Sequence, residues 1–205
     1  MALEHTPLDP GGLSPAAQKA LSGPMKIMAA RGLAPLTDPG DLVSVLYQLS
    51  TDSDKNIRDA ALASVRELPD KVLEGALGDA GIDARVLDFF ARQVLRKPNL
   101  VQVLLLNSGV ADETVAAIAG KVGKQEVDLI AQNEERLLRC PEIISGMYSN
   151  LNARMSTVDR AVELAVRAGL KVTGIPAWDE VVAALMGQKK LAERQAEQAP
   201  EQKSE

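Results

Sequence analysis

At 205 residues, 46% hydrophobic and 25% charged, the chain is long enough for one substantial core with tails, and its formal net charge of -5 argues against a general nucleic-acid binder. Aromatic residues make up only 2% (Tyr47, Phe89, Phe90, Tyr148 and Trp178), so the core must be Leu, Val, Ile and Ala, which suits packed helices better than a sheet. The single cysteine, Cys140, excludes an internal disulfide, no apolar run reaches the length of a membrane span, and the opening Met-Ala-Leu-Glu-His lacks the basic and apolar regions of a secretory leader, so a cytoplasmic protein is expected.

Residues 1–37 form a Pro/Gly-rich arm in which two short helices are written. Ser14-Pro15 supplies a cap and a proline at the first helical position, with Gly23 as the stop; Pro24 then opens Met25 to Arg31, closed by Gly32. Each is under three turns, so the arm must dock either on the body or on a partner to be ordered. The body is expected to span 38–187. Asp38-Pro39 opens it, with Leu42, Val45, Leu46 and Leu49 at helical spacing. Asp52 or Ser53 caps a helix carrying Ile57, Ala61, Val65 and Leu68, Pro69 breaks it, and a short helix ends at Gly78. Asp83 begins the next, broken by Pro98 before the run from Leu100 to Leu106. Asp112 begins another, followed by Gly123 and Val127 to Ala131. Two very short helices split at Pro141 follow, then a helix opened by Ser156 with Asp159 as its capping-box acid, ending at Gly169. Leu170 to Ile175 reads as a linker. Pro176 starts a last helix with Trp178, Val182, Leu185 and Met186, and 188–205 is a polar tail.

Asn107, Asn133 and Asn150 each close a short apolar run and are followed by a polar stretch and a new helical pattern. A recurring unit marks supersecondary pieces that bury their apolar faces only against neighbours. The alternation of longer and shorter helices resembles the HEAT-like superfamily of α-helical repeats. The segment from Leu104 to Asp159, with Asn107-Ser108-Gly109-Val110-Ala111-Asp112-Glu113-Thr114-Val115 as its best match, looks most like the bacterial leucine-rich-repeat-variant branch. The intervals depart from a fixed period: Asn107 to Asn133 is 26 residues and Asn133 to Asn150 is 17. The resemblance implies an all-α fold, a short α-solenoid of stacked helix pairs, and a habit of binding rather than an activity. The iron–sulfur cluster of some members of that branch would need several cysteines, and here there is one.

The chemistry expected of an enzyme is sparse. His5, the only histidine, lies in the arm, which removes Ser-His and Cys-His schemes and His-based zinc sites. Cys140 between Arg139 and Pro141 is either a thiol of slightly lowered pKa or, the blander reading, a half-buried structural one. Gly120-Lys121-Val122-Gly123-Lys124-Gln125 fails as a phosphate loop, because Ile118 stands where its first glycine belongs. Asp112-Glu113, Glu134-Glu135 and Asp179-Glu180 all lie where a helix starts and carboxylates are favoured. No catalytic residue, cofactor or metal is expected.

Between Arg136 and Lys171 six basic residues face three acidic ones, a local net of +3. Arg136, Arg139, Met147, Tyr148, Asn150, Asn152, Arg154, Met155, Arg160 and Arg167 are the candidate partner-binding residues, combining arginine forks with adaptable apolar area. The expectation is a non-catalytic, cytoplasmic adaptor for a protein or peptide. The alternative is a helical-repeat protein that uses the Arg136–Lys171 face for nucleic acid.

Overall fold

The computed structural model describes residues 3–187, and among them every regular element is helical. Helix α1 (Pro15–Ala20) starts where Ser14 Oγ accepts from the Ala17 amide, and α2 (Met25–Ala30) ends at Gly32, whose φ of 70° is a left-handed conformation that a side chain would strain. Helix α3 (Pro39–Ser50) is capped by Asp38, with the Asp41 amide donating to Oδ1 at 2.8 Å. Helix α4 (Lys55–Arg66) is capped by Asp54, not by Asp52 or Ser53. Asp52 instead accepts from the Asp54 amide and pairs with Lys26 of α2 at 2.5 Å.

There follow α5 (Asp70–Leu77), α6 (Ala84–Gln93) capped by Asp83, α7 (Pro98–Leu106), α8 (Asp112–Ala119), α9 (Lys124–Ala131), α10 (Glu134–Arg139), α11 (Glu142–Tyr148) and α12 (Met155–Arg167). Asp112 is the first residue of α8, behind Ala111 in the cap position. Helix α12 starts one residue before Ser156, with Arg154 in the cap position and no side-chain cap, so the capping box does not form. Residues 170–175 make turns and extended backbone without strand pairing, and 178–187 are helical. The tail assigned to 188–205 lies outside the described residues.

One core cluster runs from Leu8, Ala17 and Ala29 through Val45, Leu46, Phe90, Leu104, Ile118, Ile144 and Val162 to Trp178. Each large aliphatic side chain in it contributes about 1.5–3 kcal/mol of burial. Helix α3 packs on α4, α5 and α6; α5 on α7, α6 on α8, α8 on α11, and α9 and α10 on α12. Helices α11 and α8 approach closely at Gly146, where an added Cβ would lie 2.9 Å from Ala119 Cβ and 3.2 Å from the Ala116 carbonyl.

Three side-chain bonds between helices recur at a spacing of 40–43 residues. Asn107 Nδ2 donates to the Leu77 and Asp79 carbonyls at 2.7 and 2.9 Å, and its Oδ1 accepts from the Gly109 amide. Asn150 repeats this, with Nδ2 on the Ala119 and Val122 carbonyls at 2.7 and 2.9 Å and Oδ1 on the Asn152 amide. Thr114 donates to Asp88 as Thr157 does to Asp128, at 2.8 and 2.7 Å. Lys97 pairs with Asp70, at the start of α5, as Arg139 pairs with Asp112, at the start of α8. Asn133 has no place in this series: it caps α10, accepting from the Arg136 amide.

The arm docks on its own chain. Leu8 is buried and its amide donates to Gln48 Oε1, while Tyr47 donates to the Thr6 carbonyl and Arg85 to the Pro7 carbonyl, so the arm crosses α3 and α6. His5, expected only as a residue of the arm, reaches the side chains of α6. Its Nε2 lies 2.7 Å from Oδ2 of the buried Asp88, and its ring meets Tyr47 and Phe89 edge-on.

Candidate partner-binding surface

The candidate residues separate into three groups. Met147 and Asn150 are buried, Met147 in the core and Asn150 in the bonds that end α8. Arg136 is buried too: Nη2 donates to the Val110 carbonyl at 3.3 Å, and Nε faces Asp112 Oδ1 at 3.1 Å as an ion pair without hydrogen-bond alignment. Each of the three completes the packing of one helix on another, and Arg136 also borders the cleft toward α7 and α8. Arg139 is exposed but is aimed at Asp112, with two bonds of 2.5 and 2.9 Å, and lies 3.5 Å from Glu135. Its guanidinium, with that of Arg136, holds the Asp112 carboxyl below the usual carboxylate range.

Tyr148, Leu151, Asn152 and Met155 are exposed along the loop between α11 and α12; Met155 shows 70% of its surface and Leu151 all of it. The remaining arginines come together. Helix α12 presents Arg160 and Arg167 beside α9 and α10, and Arg154 stands at its start. One cleft of about 150 Å³ is lined by Ala131, Leu137, Ala161 and Leu164 with Glu134, Glu163, Arg160 and Arg167. An adjoining one of about 450 Å³ is lined by Asp128, Gln132, Arg154, Thr157 and Arg160. Ala131, Thr157 and Arg160 line both. Arg154 is 2.8 Å from Asp128 and Arg167 3.9 Å from Glu163, whereas Arg160 makes no ion pair among the described residues.

Sequence reasoning missed Asp128, Ala131, Gln132 and Leu137, which form the other wall of this surface, and Leu164, which lies between the arginines of α12; all are outside the basic run or between its charges. A third cleft, about 220 Å³, opens on the opposite side of the α9–α10 junction between Leu105, Leu106, Val115, Leu129, Gln132 and Asn133. Gln132 borders both sides. The signal in the sequence was the interruption of an apolar pattern by Gln132-Asn133, which divides α9 from α10 where α6 runs unbroken.

The remaining reactive groups are engaged structurally. Burial, then the neighbouring Glu142, pushes the Cys140 thiol up to about 11. The lowered value conceivable beside Arg139 does not arise, since that guanidinium is turned to Asp112. Asp88 sits between His5 and Thr114, so the hydroxyl bonds to the carboxylate and not to the imidazole, an arrangement that tethers the arm and activates no nucleophile. A cleft lined by Asp9, Asp38, Asp41, Asp79, Asp83 and Arg85 owes its acidity to turns and caps: Asp9, Asp38 and Asp79 each accept from a nearby amide, Asp41 from Ser14, and Asp83 binds Arg85. Among the described residues no three His, Cys, Asp or Glu side chains are grouped to hold a metal ion, and no helix is long and apolar enough to cross a membrane. Compared with family models, curated proteins and solved structures, the chain matches none.

Proposed function

We propose that the chain is a short HEAT-like α-solenoid acting as a non-catalytic, cytoplasmic interaction module that binds a protein or peptide beside α12. The observation that carries this reading is the recurrence of the Asn107/Asn150, Thr114/Thr157 and Lys97/Arg139 bonds at nearly one spacing. It supports a stack in which α3, α4 and α5, then α6, α7 and α8, then α9–α10, α11 and α12 are successive units, three helices each in place of the expected pair. Stacks of this kind expose long, continuous surfaces suited to recognition. Among the described residues the hydroxyls of Thr114 and Thr157 and the thiol of Cys140 meet carboxylates, and none is bonded to the imidazole of His5, which favours binding over catalysis.

The nucleic-acid alternative is less well supported, because Arg136, Arg139, Arg154 and Arg167 each already face a carboxylate and have little charge left to neutralise phosphates. The test is retention of proteins from native cytoplasm on the immobilised chain, set against an Arg154→Glu/Arg160→Glu variant. A defined partner held by the wild type and lost by the variant is expected. A wild type that retains no protein above bare resin refutes the reading, and retention of RNA that falls steeply with salt selects the alternative.

A further inference from the structure

We infer that the clefts around the α9–α10 break seat an extended peptide segment in which an acidic side chain neighbours a bulky aliphatic one. The inference rests on the interaction-module reading above and adds the chemistry of the partner. The break is the place to look because it is where the recurring pattern fails: α6 is continuous, and the corresponding stretch divides at Gln132–Asn133, with clefts on both sides of the division. Departures from an otherwise consistent local pattern concentrate at functional positions.

The side toward α7 and α8 is mixed, with aliphatic side chains on its walls and Gln132, Asn133 and Arg136 beside them. Leu105, Val115, Leu129 and Ile130 line it, and Leu106 stands at its edge with 71% of its surface in solvent. An aliphatic side chain seated there would cover Leu106, which otherwise gains nothing from burial.

The side toward α12 is where charge decides between occupants. Arg154, Arg160 and Arg167 are met by Asp128, Glu134 and Glu163 along the same walls, so the formal charges balance and a polyanion finds no field to enter. The balance is uneven in detail. Arg154 and Arg167 have carboxylates at 2.8 and 3.9 Å, while Arg160, on the wall common to both α12-side clefts, has no ion pair among the described residues. A single carboxylate complements that guanidinium, whose planar fork accepts it through two parallel hydrogen bonds. Gln132, lying between the two sides, offers an amide to the main chain of a segment that spans them.

The experiment selects random peptides displayed on phage against the full chain, then measures a synthetic copy of the most enriched peptide by fluorescence anisotropy. Enrichment of sequences with Asp or Glu within two positions of Leu, Ile or Met is expected. Affinity should fall by about tenfold or more in Arg160→Glu, in the milder Arg160→Gln and in Leu106→Asp, and stay unchanged in Lys19→Glu, a remote exposed substitution. Acidic–aliphatic peptides that bind equally to Arg160→Gln and Leu106→Asp would overturn this site while leaving an interaction module standing. Enrichment of basic peptides, no enrichment, or tighter binding of a polyuridine probe than of any peptide would overturn the inference itself.

Discussion

Replacing Asn150 by Ala removes three hydrogen bonds at once: two from Nδ2 to the Ala119 and Val122 carbonyls and one to Oδ1 from the Asn152 amide. The side chain is 6% exposed, so water does not readily replace them. At about 1 kcal/mol net for each bond the loss is about 3 kcal/mol; the Val122 carbonyl keeps a long bond from Asn152 Nδ2, whereas the Ala119 carbonyl loses its side-chain donor. Asn107→Ala should cost about the same, since its bonds to Leu77, Asp79 and Gly109 are of the same kind and length. Asn133→Ala is the internal control. It removes only an exposed cap on the Arg136 amide, worth about 1 kcal/mol. Urea titration of the three variants, followed by circular dichroism, reads the differences from the midpoints at constant slope. Heating should show the same order, with losses of about 6–12 °C for Asn107→Ala and Asn150→Ala on the usual scaling for a chain of this size. If Asn133→Ala costs as much as Asn150→Ala, the three asparagines are equivalent and the 43-residue recurrence is not what joins the units.

Gly146→Ala should destabilise by about 1–3 kcal/mol, because its Cβ would press on Ala119 Cβ and the Ala116 carbonyl; calorimetry showing a neutral or stabilising change would mean that α8 and α11 do not approach so closely at Gly146. At pH 8 the Cys140 thiol, pushed up to about 11 by burial and by Glu142, should react with iodoacetamide about a hundredfold more slowly than an ordinary thiol of pKa 9.0, and Glu142→Gln should speed it; a rate equal to that of a free thiol would contradict the half-buried placement beside Glu142. Asp112 has its folded pKa lowered by the Arg139 hydrogen bonds, so its contribution is present above the ordinary carboxylate range and is lost as pH falls through the folded value. Asp112→Asn should therefore weaken the protein at neutral pH yet flatten its acid unfolding limb; an unchanged limb in acid titration would show that the arginine pair is not what holds that carboxylate.

The helix boundaries were legible because they are written locally. Asp38, Asp83, Pro98 and Pro141 act on backbone groups within a turn of themselves, and each stands where the sequence places a helix start. The cap of α4 was expected at Asp52 or Ser53 and falls on Asp54 for the same local reason: in a run of Asp-Ser-Asp any of the three side chains can reach a first-turn amide, and packing against Lys26 selects another task for Asp52. The asparagines were half legible. Their recurrence was visible, but Asn133 caps its own helix whereas Asn107 and Asn150 bond carbonyls 28 to 31 residues earlier. Counting the local cap with the long-range pair turned one interval of 43 into unequal intervals of 26 and 17. Which of its two expected docking sites the arm takes was not legible, because nothing near His5 in the chain announces a carboxylate 83 residues away.

The same physics explains why a basic run in the sequence is not a basic face. Three arginines of the run find their carboxylates 24 to 27 residues upstream, outside any local charge count: Asp112 for Arg136 and Arg139, Asp128 for Arg154. With Arg167 facing Glu163 and Lys171 facing Asp179, the local excess of +3 between Arg136 and Lys171 is met by carboxylates, and what remains for a partner is the one guanidinium of α12, Arg160, that has no ion pair among the described residues. An acidic residue introduced upstream and facing Arg160, as in Ala131→Asp, should then act as an internal competitor. It should weaken an acidic peptide as strongly as Arg160→Gln does while leaving the arginine in place, and combining the two substitutions should add little to either alone. Full additivity in peptide titrations of the double variant would mean that the two positions do not share one carboxylate, and that charge at this cleft is set by something other than the layer before it.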